Sequence, residues 1–447
     1  MSQTFQKIQA LNNLHINELN EMQKQMLEQF DQHDDMILLA PTGTGKTLAY
    51  LLPLMSRVDV DADDAQVIII VPSRELALQI HEVIKNMKSP VRSCCCYGGR
   101  PAMDEHRVMM SVLPHVVIAT PGRLCDHLRK RNIEVHAVRH LVIDEFDKCL
   151  EMGFSDEIHE AVESLPLVRR RVFSSATDKH DIPSFMGLKA NDADKTLRLD
   201  FLHEKEQVDA RIRQHIVHSY TKDKLDTLLD LLRALGQQSS LVFLNHRDAV
   251  ERVYHFLKDK KVACEMFHGG MEQEYRERAL FKFSNGTSNV LVSTDLGARG
   301  LDIPEINNII HYHIPLNEDV FVHRNGRTAR WQMTGESFFI LNEEESVPEY
   351  VEGVPDEFHI PANLPPVQPS LWSTLYVGKG KKDKISKVDV LGFVCKQGGM
   401  GREDIGRIDV RGHCAYVAVR RSKMSSLLST IKGLKIKGIK TIYTEAR

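Results

Sequence analysis

Short unbroken apolar runs recur along this chain, separated by longer stretches with helical amphipathic spacing. Up to about residue 200 the runs are Met36–Leu39, Val67–Val71, Val116–Ala119, Leu141–Ile143 and Val172–Ser174. A run without polar alternation marks a strand buried on both faces, and the amphipathic stretches supply helical crossovers. The rhythm restarts at Leu241–Leu244 and continues through Val290–Ser293, Ile309–Tyr312 and Phe338–Leu341. The pattern predicts two tandem doubly wound α/β domains with parallel sheets, at 1–203 and 204–362. The polar stretch His203–Gln207 is the expected linker between them. Pro361, Pro365, Pro366 and Pro369 then favour an extended, semi-rigid connector, placed at 363–372. Residues 373–447 read strand (Thr374–Val377), helix (Lys387–Lys396), strand (Gly406–Val410), strand (Cys414–Val419), helix (Ser422–Ile431), strand (Lys440–Thr444). That order fits a small α+β sheet with helices on one face.

Bulk properties narrow the setting. A chain of 447 residues can hold two or three cores, and 42% hydrophobic with 27% charged residues suits a folded, soluble protein. No apolar run reaches the ~18 residues of a membrane span, so no membrane association is expected. Met1–Phe5 carries no basic-then-apolar signal, and the eight cysteines form no C-x-x-C pair, so a reducing cytoplasm is expected. Cys94-Cys95-Cys96 reads as a buried strand or its edge, rather than a metal site or disulfide framework. The net charge of −3 conceals a division. Residues 373–447 carry 17 Lys+Arg against 6 Asp+Glu, a balance of +11, which leaves −14 for the rest. A basic domain on an acidic body implies a polyanion partner, the alternative being a merely solvated basic face.

The candidate chemistry begins after the first apolar run. Ala40-Pro41-Thr42-Gly43-Thr44-Gly45-Lys46-Thr47 lies between a strand and a helix, as a phosphate-binding loop must. Its glycines let backbone N–H groups close on phosphate oxygens. Lys46 would neutralise the β- and γ-phosphates, and Thr47 would place a hydroxyl on Mg²⁺. This loop alone leaves kinase, GTPase and ATPase open. Val142-Ile143-Asp144-Glu145-Phe146-Asp147 narrows the choice by putting carboxylates at the end of a buried strand. Asp144 would hold Mg²⁺ through water and Glu145 would act as general base, the alternative being two carboxylates capping a helix. In the second domain Arg327 and Arg330 are three apart, so on a helix they share a face and could reach one phosphate as an arginine finger. A basic helix making surface salt bridges is the blander reading.

Taken in order, these stretches resemble the DEAD-box RNA helicases of superfamily two. The set comprises Ala40–Thr47, Pro72-Ser73-Arg74-Glu75-Leu76-Ala77, Gly98-Gly99, Thr120-Pro121-Gly122-Arg123, Asp144–Asp147, Ser175-Ala176-Thr177, Ser293-Thr294-Asp295 with Ala298–Asp302, and His323–Arg330. The resemblance implies two RecA-like domains using ATP and Mg²⁺. Gln23 would read the adenine edge, beside the loop residues Thr42, Gly43, Thr44 and Gly45. Asp302 would contact the nucleotide from the second domain. Ser175, Thr177 and His323 would couple hydrolysis to RNA binding. RNA would meet Pro72, Arg74, Gly99, Thr120, Gly122 and Arg123 on one domain. On the other it would meet Asn245, Gly269, Gln273, Arg276, Thr294 and Asp295. Small residues and backbone donors suit sugar-phosphate contact with weak sequence preference. Three positions depart from the family's usual spelling. Phe146 stands where alanine is usual, Leu19–Met22 replaces a Pro-Thr-Pro-type lead, and Asn325 and Ala329 replace Ile and Gly.

The carboxy-terminal domain resembles the RNA-recognition-motif-like tail of DbpA-type bacterial helicases. The resemblance rests on Lys381–Lys384, Asp404–Ile408, Ala415–Val419 and Lys435–Gly438. Tyr376, in the first strand, could stack on a base or simply pack. Lys381, Lys382, Lys435 and Lys437 would grip a structured hairpin. The resemblance thus implies a monomeric ATP-dependent RNA helicase that unwinds short duplexes. The tail would anchor it on large-subunit ribosomal RNA in a pre-ribosomal particle. An ATP-gated RNA clamp without unwinding is the alternative, and a DNA translocase is disfavoured by the motif spellings.

Overall fold

A computed structural model describes residues 9–14, 16–41, 43–99, 101–178, 182–187, 196–202, 211–295, 306–328 and 334–446. It divides into two compact units, one running essentially to Arg211 and the other from Ile212 onward. The expected linker His203–Gln207 lies outside the described residues.

In the first unit the strands are β1 (Asp35–Leu39), β2 (Val67–Ile70), β3 (Ser93–Cys96), β4 (Val116–Ala119), β5 (His140–Ile143), β6 (Arg170–Ser175) and β7 (Thr196–Asp200). They form one parallel sheet in the order β3-β4-β2-β5-β6-β1-β7. Helices α1 (Glu21–Gln29), α2 (Lys46–Met55), α3 (Arg74–Asn86), α4 (Ala102–Val112), α5 (Pro121–Arg129), α6 (Phe146–Glu151) and α7 (Ser155–Glu163) cover it. Alternate strand residues point to opposite faces, so the unbroken apolar runs feed two cores at once. Met36, Leu38, Val67, Ile69, Val142 and Val172 pack with α1, α2 and α3 on one side. Ile68, Ile70, Val117, Leu141, Ile143 and Phe173 pack with residues of α5, α6 and α7 on the other. The cysteine run is β3, the edge strand, with Cys94 and Cys96 buried.

The second unit repeats the plan. Its strands are β8 (Ile212–His218), β9 (Ser240–Leu244), β10 (Cys264–Phe267), β11 (Val290–Thr294), β12 (Asn308–His311), β13 (Gly335–Leu341) and β14 (Asp356–Glu357), in the parallel order β10-β11-β9-β12-β13-β8-β14. Helices α8 (Leu225–Leu235), α9 (Arg247–Asp259), α10 (Gln273–Ser284) and α11 (Glu318–Asn325) belong to this layer. The Pro-rich stretch is extended, yet it is not a free spacer. Arg233 of α8 donates to the carbonyls of Pro365 (2.9 Å) and Leu364 (3.1 Å), and Gln237 to that of Gln368 (3.1 Å).

The same unit carries a second, antiparallel sheet built from β15 (Trp372–Val377), β16 (Ile405–Val410), β17 (Ala415–Arg420) and β20 (Tyr443–Glu445), in the order β16-β17-β15-β20. Leu375, Val377, Ala415, Val417 and Val419 bury one face against Val390 and Val394 of α12 (Lys387–Lys396) and Leu427 and Ile431 of α13 (Arg421–Ile431). The strand expected at Lys440–Thr444 is split. Lys437 (φ 50°) and Gly438 (φ 79°) both take positive φ, the requirement for a two-residue hairpin turn. That turn joins β18 (Lys435–Ile436) to β19 (Ile439–Lys440), and only Tyr443–Glu445 reaches the main sheet.

Candidate functional site

In the first sheet, neighbouring strand ends gather the candidate residues into two groups. The loops after β1, β5 and β6 hold the phosphate loop, the acidic run and Ser175–Thr177. The loops after β3, β4 and β2 hold Gly99, Thr120–Arg123 and Pro72–Arg74. Carboxyl ends of parallel strands are where open α/β sheets receive ligands.

Gly43 (φ 85°) and Gly45 (φ 94°) let the phosphate loop turn into α2. The positive φ of Gly45 favours glycine, and a Cβ there would lie 2.5 Å from Gln23 Nε2 and push that amide aside. Asn20 and Gln23 form a reciprocal cap on α1. The Gln23 N–H donates to Asn20 Oδ1 (2.9 Å), and the Asn20 N–H donates to Gln23 Oε1 (3.1 Å). Asn20 Nδ2 also donates to Thr44 O (2.8 Å) and Gln23 Nε2 to Gly45 O (3.4 Å). The buried Gln23 amide therefore braces the phosphate loop. Lys46 Nζ donates to the loop's own carbonyls at Ala40 (2.6 Å) and Pro41 (3.0 Å). Thr47 follows on the first turn of α2, and Thr42 lies outside the described residues.

Asp144 is held from three sides. Tyr50 Oη donates to Oδ2 (2.7 Å), the Glu145 N–H to Oδ1 (3.0 Å), and Ser174 Oγ also to Oδ1. The Tyr50 hydroxyl contacts Thr47 as well, so one buried phenol joins Thr47 to Asp144. Burial first, then the Asp144 charge, raises the Tyr50 pKa well above its ordinary value and keeps it a neutral donor. Tyr50 and Ser174 were not among the residues expected from the sequence. The signal for Tyr50 was its place one helical turn beyond Lys46. Glu145 has φ 49° and stands at the N-cap position of α6 with no side-chain hydrogen bond to it. A non-glycine residue there stores ~1–3 kcal/mol, a cost found mostly at functional positions. Phe146 finds its room in the core, edge-on to Phe173 with ring centroids 6.3 Å apart. Thr177 Oγ1 donates to Asp147 Oδ2 (2.9 Å), and Ser175 Oγ donates to Thr177 O (2.7 Å). The Ser175–Thr177 turn is thus tied directly to the acidic run.

On the other group of strand ends, Arg74 lies over Gly99 (φ 91°), where a Cβ would meet its Nη1 at 2.6 Å. Glu105, also unanticipated, ties the remaining residues together. It accepts from the Tyr97 N–H (2.9 Å), lies 3.0 Å from His127 Nε2, and faces Arg123 Nη1 at 3.6 Å. Pro72, Thr120 and Gly122 flank this cluster at the same strand ends. Burial disfavours a charged His127, but hydrogen bonds with Cys96 and Glu105 outweigh it and raise its pKa to about 9. A folded-state pKa above the free value of about 6.5 gives stability that is complete below that value and is lost as pH rises through about 9. Urea unfolding of the chain and of His127→Gln at about pH 7 and about pH 10 should show their stability difference shrinking at the higher pH. A difference that stays constant would refute the charged histidine.

The second unit places Gly269, Thr294–Asp295 and Asn245 after the neighbouring strands β10, β11 and β9. Arg324 gathers two of them. It donates to both Asp295 oxygens (2.6 and 2.8 Å), to Asn245 Oδ1 (2.8 Å) and to His313 O (2.7 Å). The Asn245 and Asp295 side chains are therefore committed within the domain. Arg324 lay inside a quoted stretch but was not singled out. His323 and Arg327 are buried in the same region. α11 ends at Asn325, and Arg327 lies in the turn beyond it. The buried side chain of Asn325, the last residue of α11, accepts from Ser337 Oγ (3.0 Å). Arg330 and Asp302 lie outside the described residues. On α10, Gln273 Nε2 donates to Glu277 Oε1 (3.2 Å), and Arg276 stacks on Phe267 at 4.9 Å.

In the carboxy-terminal domain Lys381, Lys382, Lys435 and Lys437 are exposed. Lys437 Nζ joins the two segments, donating to Lys384 O (2.9 Å) and Asp389 Oδ2 (3.0 Å). Hydrogen bonds from Ser386, which Asp389 caps in turn, and from Lys437 lower the Asp389 pKa to about 2. Among the described residues no helix is long and apolar enough to cross a membrane.

Three family models match successive parts of the chain: DEAD/DEAH box helicase over residues 20–184, Helicase conserved C-terminal domain over 223–332, and DbpA RNA binding domain over 374–443. The chain is 32% identical over 419 residues to ATP-dependent RNA helicase DbpA of Escherichia coli K12, covering 90% of this chain and 89% of that protein. It is 27% identical to ATP-dependent RNA helicase DbpA of Bacillus subtilis 168, covering 96% and 95%. Its fold matches S. cerevisiae Dbp5 bound to RNA and ADP BeF3 with a TM-score of 0.68 at 24% identity, over 76% of this chain and 87% of that one.

Proposed function

The chain belongs to the DEAD-box ATP-dependent RNA helicases, and from that premise we propose that it separates short RNA duplexes while anchored on structured large-subunit ribosomal RNA. The observation that carries this reading is the union of two features in one chain. Phosphate loop, acidic run and Ser175–Thr177 meet at adjacent strand ends, and a basic DbpA-type RNA-binding domain follows. In this reading the domains are those laid out in the sequence, at 1–203, 204–362 and 373–447, and the protein works as a monomer in the cytoplasm on pre-ribosomal particles.

Lys46 would leave the loop carbonyls for the nucleotide's phosphates, with Gly43, Thr44 and Gly45 giving backbone donors. Gln23 would face the adenine from its braced position. Thr47 and Asp144 are hard oxygen donors joined through Tyr50, a set that fits Mg²⁺, with Asp144 reached through water. The metal would offset charge on the phosphates. Glu145 would take the proton of the attacking water. Arg327 and Arg330, with Asp302, would complete the site when the two α/β domains close on ATP and RNA. Ser175, Thr177 and His323 would relay that closure.

ATP hydrolysis measured without RNA, with generic RNA and with a large-subunit ribosomal RNA fragment tests the reading. Selective stimulation by the fragment is expected, and equal stimulation by every RNA would overturn the anchoring. Release of a labelled strand under ATP separates a helicase from a clamp. Reversing Lys381, Lys382 and Lys435 to Glu should abolish the fragment's advantage and leave generic stimulation intact. Lys437 is left out of that variant because it also closes the cap of α12.

A further inference from the structure

The small antiparallel sheet has a second face, and the parallel-sheet part of the same unit packs against its centre. Thr374, Tyr376, Tyr416 and Ala418 alternate with the core-facing residues and so point away from α12 and α13. Thr374 Oγ1 accepts from Asn285 Nδ2 (3.1 Å) and meets Thr287 Oγ1 at 2.8 Å. The Tyr416 ring packs against Phe281 of α10, centroids 5.3 Å apart, and is 3% exposed. A second domain therefore closes the centre of the face that an isolated domain of this kind would leave open.

Tyr376 lies at the margin of the contact, its ring 5.7 Å from Tyr416, and borders a cavity of about 970 Å³. That volume is at the upper end of the ~300–1,000 Å³ usual for ligand sites. Glu274 and Arg278 of α10 line it together with Tyr376 and the backbone of β20, and Lys432 stands at the end of α13. The Tyr443 ring is turned to the other face and stacks on Phe393, centroids 5.1 Å apart. Arg278 also sits over the ring of the exposed Tyr275, 4.9 Å from its centroid. The Tyr376 ring beside a guanidinium and an ammonium is a surface on which an unpaired base stacks while its phosphate is neutralised. The two carboxylates in the lining, Glu274 and Glu445, are acceptors suited to a base's amino or imino edge. Ser373 Oγ already donates to Glu445, which leaves Glu274 the better placed of the two.

Position supports the same ligand. α10 begins at Gln273, assigned above to the core RNA track, and Glu274 and Arg278 follow on that helix. The segment Thr441–Ala446 lines the cavity and follows directly on the hairpin that carries Lys435 and Lys437. The cavity thus lies along the chain segments connecting the two proposed RNA-binding regions.

We propose that this cavity is an RNA subsite, built jointly by α10 and the carboxy-terminal sheet, for an unpaired nucleotide between the anchored hairpin and the strand held by the core. The base stacks on Tyr376, Arg278 meets the base or its phosphate, and Glu274 accepts from the base edge. The proposal rests on the anchoring reading given above.

The test uses the full chain and three fluorescent RNAs: a stem-loop, the same stem-loop with a short single-stranded flank, and that flank with abasic sites. Base stacking on an aromatic ring predicts that the flank tightens binding about tenfold and that abasic sites remove the gain. Arg278→Ala and Tyr376→Ala should each lose most of the gain and bind the bare stem-loop like the unaltered chain. Arg278 lies outside the carboxy-terminal domain, so its effect separates a joint subsite from one on that domain alone. A flank containing 4-thiouridine should crosslink to Tyr376 or to 441–446. A flank that adds nothing, an abasic flank equal to the natural one, or an unchanged gain in Arg278→Ala would overturn the proposal. Failure of the unaltered chain to bind the bare stem-loop would instead overturn the anchoring reading.

Discussion

Replacing Glu145 by glutamine should lower RNA-stimulated ATP hydrolysis by roughly 10²–10⁴-fold, the usual worth of a positioned general base. Asp144 is already occupied by Tyr50, Ser174 and the Glu145 N–H, which suits it to hold a hydrated cation rather than to accept a proton. Glu145 is half-buried and stands at φ 49° on a turn that carries strain. Glutamine keeps the size of the side chain but cannot take a proton at neutral pH. ATP and RNA should therefore still close the domains, and the variant should hold RNA longer than the unaltered chain. Phosphate release and retention of a labelled RNA, measured together, check both halves. Near-normal turnover would remove Glu145 from the base position. Loss of RNA retention along with hydrolysis would point to a binding role.

The largest effect on stability should come from Arg324→Met. Arg324 is 1% exposed and makes a bidentate pair with Asp295, with further bonds to Asn245 and His313 and a stack on Phe243 at 5.1 Å. Methionine fills part of the volume but leaves the half-buried Asp295 carboxylate without its partner. Removing one partner of such a pair costs about 3–5 kcal/mol. Urea unfolding should show that loss, and adding Asp295→Asn should recover part of it by neutralising the stranded carboxylate. A double variant no more stable than Arg324→Met would place the effect in packing instead of charge. RNA affinity should fall too, because Arg324 fixes the side chains of both Asn245 and Asp295.

The chemistry of this chain was legible because its carriers are local. A phosphate loop needs only consecutive glycines, a lysine and a threonine between a strand and a helix, and those are contiguous in Ala40–Thr47. Fully buried parallel strands announce themselves as unbroken apolar runs, so the two parallel sheets followed from spacing. The positive charge of the last 75 residues is a sum and needs no fold. Where local rules met an unusual turn the reading slipped. Lys437-Gly438 folded back into its own hairpin and split the last strand.

Tertiary structure decided whatever depends on partners distant in sequence. Tyr50 reaches Asp144 across 94 positions, Ser174 across 30, and Glu105 meets His127 across 22. Arg324 finds Asn245 across 79. Periodicity carries no record of such pairs, because each is made by the sheet order that brings strand ends together. The carboxy-terminal sheet gives the clearest case. Sequence placed Tyr376 on a strand and left stacking and packing equally open. Phe281 on Tyr416 then closed the centre of that face and left Tyr376 at the edge of a cavity, a result set by how one domain rests on another.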